Sequence, residues 1–235
     1  MTSQRIAITG ANRGLGLEFT REWLERGDRV FALVRDPSGA RELDALAARH
    51  SETLMVLPCD VSDDDSVDQA RMAIEASCPA LDLVVNNAGV YNKSEGGFPD
   101  VDLGSIQQVF NVNTLGPLRV SRALIPWLRK GVRPRLVHVT SKMGSIEDNT
   151  SGGSWGYRLS KTALNMVNRN LAVELAAATI PSVVIHPGWV RTDMGGGSAP
   201  LSIPESVAEM VSTLDRLTMD QSGSFLDRDG TRIPY

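Results

Sequence analysis

A doubly wound α/β domain is expected from this chain: a mainly parallel, seven-stranded sheet with helices on both faces. Three observations point to it. The candidate strands are apolar throughout instead of alternating, as strands covered on both faces must be. Strand-like and helix-like segments alternate along the whole chain. A glycine-rich turn, Thr9-Gly10-Ala11-Asn12-Arg13-Gly14-Leu15-Gly16, joins the first strand to the first helix. At 235 residues and 42% hydrophobic, the chain suits one domain, 1–235, with a large core and no internal boundary.

The elements follow in order. Residues 5–9 form a short buried strand. Leu15 to Arg26 carries apolar residues at helical spacing (Leu15, Phe19, Trp23, Leu24), and Gly27 ends that helix. Residues 29–34 are a second strand, 40–49 a helix and 53–57 a third strand. Ser62 is the expected cap of the next helix, with Asp63, Asp64 and Asp65 in its first turn, where the dipole favours anions. Residues 81–85 are a fourth strand. One long helix is expected over 104–129, with Pro117 forcing a kink or irregular turn. Residues 135–140 are a fifth strand, 145–154 a polar loop, 157–178 a helix and 182–186 a sixth strand. Gly195-Gly196-Gly197 leads to a helix over 204–217, and 224–226 is a short last strand.

Composition excludes several functions. The net charge is −4, with no basic stripe, which argues against nucleic acid or an anionic membrane as partner. No apolar run reaches the roughly 18 residues a membrane span needs. The two cysteines, Cys59 and Cys78, lack metal spacing and point to a reducing, cytoplasmic setting, and the early first strand leaves no room for a signal peptide. His50, His138 and His186 are scattered, so no metal is expected. Gly152-Gly153-Ser154-Trp155-Gly156 matches the hydrolase pattern Gly-x-Ser-x-Gly, but a polar loop precedes it where a strand is needed.

The glycine turn is the first functional signal. Glycine permits a tight turn and close approach of a diphosphate, and the helix that follows offers free N–H groups and a positive dipole end. This marks a Rossmann-type dinucleotide site. The second strand ends in Val34-Arg35-Asp36. An acidic residue there ordinarily accepts from the adenosine ribose; Arg35, with Arg13 in the turn, instead favours the 2′-phosphate of NADP(H). The competing reading makes Arg35 a solvated strand end and Asp36 the start of a loop.

The second signal is Tyr157 followed four residues later by Lys161, on one helix face. Only four of the 24 Lys and Arg residues are Lys, so a Lys here marks a place that wants a compact ammonium. Asn113 and Ser141 fall at compatible places.

Together these residues resemble the short-chain dehydrogenase/reductase family over nearly the whole chain. The turn at Thr9–Gly16, Asn86-Asn87-Ala88-Gly89 after the fourth strand, Asp60-Val61 and Pro187-Gly188 with Thr192 following all match its pattern. Gly10-Ala11-Asn12-Arg13-Gly14, residues 148–153 and the tail near Asp229-Gly230-Thr231 are similar to a narrower branch, the carbonyl reductases of the sniffer and C-factor type. The resemblance implies NADP(H) held by Gly10, Asn12, Arg13, Gly14, Leu15, Gly16, Arg35, Asp60, Val61, Asn87, Ala88, Gly89, Pro187, Gly188, Val190 and Thr192, with Tyr157 and Lys161 shared with catalysis. It implies reduction of a small-molecule ketone or aldehyde to an alcohol, by a protein that forms a homodimer or homotetramer.

It also assigns roles to four residues. A free tyrosine, with a pKa of about 10, is a poor proton shuttle near neutrality, and a neighbouring ammonium stabilises its phenolate. Lys161 would supply that charge and hold the nicotinamide ribose. Ser141 would orient the substrate oxygen. Asn113 would hold a water linking Lys161 to solvent. Ser141 and Tyr157 lie 16 residues apart, somewhat more than is common in the family, which makes room for the loop from Ile146 to Trp155.

Met143, Trp155, Tyr91 and Met194 are the expected walls of the substrate space, favouring an apolar or aromatic carbonyl. The short segment from Asp193 to Ile203 implies an open pocket. Two alternatives stand beside this reading: a dinucleotide-binding signalling or sensor protein without turnover, and an NAD-dependent alcohol dehydrogenase.

Overall fold

The computed structural model describes residues 3–235. Its strands are β1 (Arg5–Thr9), β2 (Arg29–Val34), β3 (Leu54–Pro58), β4 (Leu83–Asn86), β5 (Arg135–Val139), β6 (Ser182–His186) and β7 (Phe225–Asp227). They form one parallel sheet in the order β3-β2-β1-β4-β5-β6-β7. Its helices are α1 (Gly14–Glu25), α2 (Arg41–Arg49), α3 (Asp64–Ser77), α4 (Leu103–Phe110), α5 (Gly116–Leu128), α6 (Trp155–Glu174) and α7 (Ile203–Asp215).

The apolar strands have a simple explanation. Successive side chains point to opposite faces of a sheet, and here each face meets helices. Ile6 and Ile8 of β1, with Val30, Ala32 and Val34 of β2, pack against Phe19 and Trp23 of α1, Leu43 of α2 and Val207 and Met210 of α7. Ala7, Phe31 and Val84 face the other way, towards Ile74 of α3, Val120 and Leu124 of α5 and Leu171 of α6. All these residues are almost fully buried, so a polar residue on either side of a central strand would have no water to reach.

Three expectations change. The helix expected over 104–129 is two helices, α4 and α5, joined by a single π-helical turn at Asn111–Leu115. Pro117 lies in the first turn of α5, where its missing N–H costs little. The cap of α3 is Asp63, whose carboxylate accepts from the Ser66 N–H at 2.9 Å; Ser62 instead donates to Asp60 at 2.6 Å. Helix α6 begins two residues earlier than predicted and ends at Glu174, continuing into a short 3₁₀ turn over 176–178.

Candidate active site

The strand order reverses direction between β1 and β4, and at such a switch point the loops leaving the strand ends splay apart. A cleft of about 1180 Å³ opens there.

Its first wall is the turn from β1 to α1. Gly10 and Gly14 adopt φ values of +67° and +56°. Gly16 is buried behind them, and a Cβ on it would lie 2.2 Å from the Gly10 carbonyl oxygen. Asn87 Nδ2 donates to the Thr9 and Gly10 carbonyls at 2.9 and 3.2 Å, pinning the turn to the end of β4. Helix α1 has no side-chain cap and no acidic residue in its first turn, so its end stays open to an anion. Gly10, Asn12, Arg13, Gly14 and Leu15 line the cleft, as do Arg35, Asp60, Val61, Asn87, Ala88 and Gly89.

The charges at this end are arranged unequally. Asp36 accepts from the Ser38 N–H and hydroxyl at 2.9 and 2.6 Å; these bonds hold its carboxylate below the usual range. Arg35 is exposed on the cleft wall. Arg13 reaches across the cleft mouth to Asp193, with Nη1 2.8 Å from Oδ2. Of the two cations expected to meet a phosphate, one is therefore already paired. The glycine cradle, open helix end and Arg35 together fit a dinucleotide carrying an extra phosphate.

The inner wall holds Ser141, Tyr157 and Lys161, together with Pro187, Gly188, Val190 and Thr192. The tip of β5 and helix α6 are laced together: Thr140 Oγ1 donates to Asn165 Oδ1 at 2.9 Å, and Thr162 and Asn165 both donate to the Gly144 carbonyl. A Cβ on Gly144 would lie 2.9 Å from the Lys161 backbone. This close approach brings Ser141 to Tyr157 despite their separation in sequence. The Ser141 Oγ accepts from the Met143 N–H at 3.2 Å, which leaves its own proton free to donate.

Tyr157 and Lys161 are buried, and burial governs both. Desolvation pushes the Tyr157 phenol up to about 12, against the opposing influence of the Ser141 hydroxyl. It pushes the Lys161 ammonium down to about 8. The sequence predicts a phenol lowered by its lysine neighbour, whereas the protein's own groups leave it raised. The Lys161 Nζ donates to the Val139 carbonyl at 2.9 Å and stands 5.6 Å from the Tyr157 ring centroid. A phenol raised in this way is neutral at about pH 7, as an unperturbed tyrosine also is, but is a weaker acid, so a neighbouring positive charge is needed to bring its phenolate within reach.

Asn113 is fully buried in the π-helical turn and does not line the cleft. Its amide bonds Val90 in both directions, at 2.8 and 2.9 Å, and donates to Ser160 Oγ at 3.1 Å. A Cβ on Gly89 would meet both Asn113 Oδ1, at 3.4 Å, and Lys161 Nζ, at 3.6 Å, so the two groups converge on the bare edge of that glycine.

Tyr91, Met143 and Met194 line the space beyond Tyr157, as expected. Trp155 does not; it opens α6 outside the cleft wall. Trp189, Lys93 and Lys142 line it instead. Trp189 follows the Pro187-Gly188 turn directly, a position that could have flagged it; its indole donates to the Gly195 carbonyl at 2.8 Å. The two lysines carry no comparable sequence signal.

Among known proteins, residues 4–200 match the profile described as short chain dehydrogenase. The C-signal protein of Myxococcus xanthus is 45% identical over 155 residues, covering 66% of this chain and 93% of its own. The carbonyl reductase Sniffer of D. melanogaster superposes with a TM-score of 0.95 at 36% identity, over 99% of this chain and all of its own. An NADPH-bound carbonyl reductase from chicken fatty liver gives 0.94 at 33% identity, over the full length of both.

Proposed function

The chain belongs to the short-chain dehydrogenase family, and we propose that it is an NADPH-dependent carbonyl reductase acting on a small ketone or aldehyde, with Tyr157 as proton donor. The observation that carries this is the buried Tyr157, beside Lys161 and sharing one cleft wall with Ser141, at the inner end of a cleft whose outer end is the glycine turn. The structural likeness to NADPH-bound and other carbonyl reductases supports the same cofactor and reaction.

When bound, NADPH supplies the hydride. The chain's own residues do the rest. The turn from Gly10 to Gly16 and the open end of α1 take the diphosphate. Arg35, whose neighbour Asp36 has its carboxylate turned to Ser38 and makes no direct ion pair with it, takes the 2′-phosphate. Asp60 and Val61 border the adenine, and Pro187, Gly188, Val190 and Thr192 border the nicotinamide half. Ser141 donates to the carbonyl oxygen and orients it. Negative charge grows on that oxygen as the carbonyl is reduced, and Tyr157 gives it a proton. A donor placed where charge develops lowers the barrier without reorganisation. Lys161 holds the ribose hydroxyls and stabilises the phenolate left behind, and Asn113, converging with it at Gly89, holds the water that restores the proton.

A second reading rests on the C-signal relative: a dinucleotide-binding signalling protein. The complete Asn113, Ser141, Tyr157 and Lys161 set weighs against it, since binding alone needs no proton donor. Loss of NADPH absorbance against a panel of ketones, aldehydes and diketones, with NADH alongside, tests the choice. Turnover with NADPH on several of them supports the reductase; NADPH binding with no turnover on any supports the signalling protein.

A further inference from the structure

Helix α6 carries Tyr157 in its first turn, yet the residue at its cap position is engaged elsewhere. Ser154 sits at φ +48°, ψ +49°, and its side chain bonds no helix N–H. Its hydroxyl pairs instead with the Tyr91 hydroxyl at 2.8 Å. The orphan N–H of Gly156 is taken by Glu95, from the loop after β4, whose Oε2 accepts it at 3.0 Å.

Glu95 is 4% exposed, and its Oε1 has no partner among the described residues. A buried carboxylate with one free oxygen is costly, and the positive end of α6 offsets part of that cost. Gly156 fits the arrangement. A Cβ there would lie 2.8 Å from Glu95 Oε2 and 3.3 Å from the Ile106 Cα of α4. The glycine that completes the hydrolase-like pattern therefore serves this contact and no nucleophile.

Tyr91 lies four residues before Glu95 on the same loop, and its ring centroid is 4.9 Å from that of Tyr157. One loop thus grips the start of α6 twice: Tyr91 against the Tyr157 ring and Glu95 on the N–H of the residue before it. We propose that Glu95 is a positioning residue for the proton donor, a cap supplied from a distant segment that fixes the first turn of α6 and with it the Tyr157 hydroxyl. The proposal rests on the reading of Tyr157 as donor.

Three variants of the full chain test it. Glu95→Ala removes the cap. Displacing a reacting group by about 1 Å costs on the order of 100-fold, so kcat should fall by about tenfold or more. NADPH affinity should stay within about twofold, because Glu95 lies outside the cleft wall. Glu95→Gln keeps an oxygen that accepts from Gly156 and should recover most of kcat. Hydrogen exchange in the peptide spanning residues 155–161 should rise in Glu95→Ala and not in Glu95→Gln. If Glu95→Ala does not fold, Glu95→Asp carries the same test: it keeps the charge, falls short of Gly156, and should lower kcat and raise exchange.

A Glu95→Ala protein with parental kcat, or with unchanged exchange over 155–161, overturns the proposal. So does Glu95→Gln as slow as Glu95→Ala, which would make the charge, not the cap, the operative property. The exchange readout needs no turnover. A parent protein inactive on every carbonyl defeats the reductase reading, while the exchange contrast still decides Glu95.

Discussion

Arg13 and Asp193, 180 positions apart, form an ion pair across the mouth of the cofactor cleft, with Nη1 2.8 Å from Oδ2. Arg13 belongs to the glycine turn and Asp193 to the loop after β6. Their side chains are 71% and 82% exposed, and a pair this open to water contributes under about 1 kcal/mol to folding. Its consequence is for binding: Asp193 competes for a cation that a 2′-phosphate would use. Asp193→Asn should lower KM for NADPH severalfold, leave KM for NADH nearly unchanged and leave thermal stability within a degree or two. Equal changes for both cofactors would show that Arg13 does not serve the phosphate.

Arg35 makes no direct ion pair with Asp36, whose carboxylate is turned to Ser38. A charge-assisted hydrogen bond contributes about 1.5–3 kcal/mol, so Arg35→Ala should weaken NADPH binding roughly 10- to 100-fold while NADH loses little. Fluorescence titration with each cofactor measures the contrast, and parallel losses would remove Arg35 from the phosphate site.

Tyr157→Phe keeps the ring against Tyr91 and deletes the proton. General acid catalysis contributes about 10²- to 10⁴-fold, so kcat should fall by that order while NADPH affinity holds. A Tyr157→Phe protein as fast as the parent would mean that another group is the acid.

The pH dependence is set by Lys161. Burial lowers its ammonium from 10.5 to about 8, while Tyr157 stays protonated up to about 12. Carbonyl reduction should therefore decline as pH rises through about 8, a limb belonging to the lysine. The stability consequence has the opposite sign. Between about 8 and 10.5 the unfolded chain binds a proton at Lys161 that the folded one does not, so this group's contribution to stability rises with pH across that window. Lys161→Met should flatten that part of the stability profile. An activity profile flat well past pH 8 would place the lysine's titration elsewhere.

The sheet was legible from local pattern alone, because burial on both faces makes the central strands mostly apolar, with polar residues chiefly at their ends, and a run such as Val30–Val34 declares itself without its neighbours. So were the glycine turn and the Tyr157–Lys161 pair, since both are local: one depends on positive φ and close approach, the other on helical spacing. The remaining features arose from contacts between distant segments. The split of the expected long helix falls at Asn113, which bonds Val90 and Ser160 from two other segments, contacts that no local pattern announces. Arg13 looked like a free phosphate ligand until the loop after β6 brought Asp193 to it. Trp155 looked like a pocket wall and Trp189 did not, because spacing along a chain carries no direction in space. Glu95 was invisible for the same reason: a carboxylate 61 residues from the N–H it accepts has no local pattern, and only the packing of the loop after β4 against α6 gives it a partner.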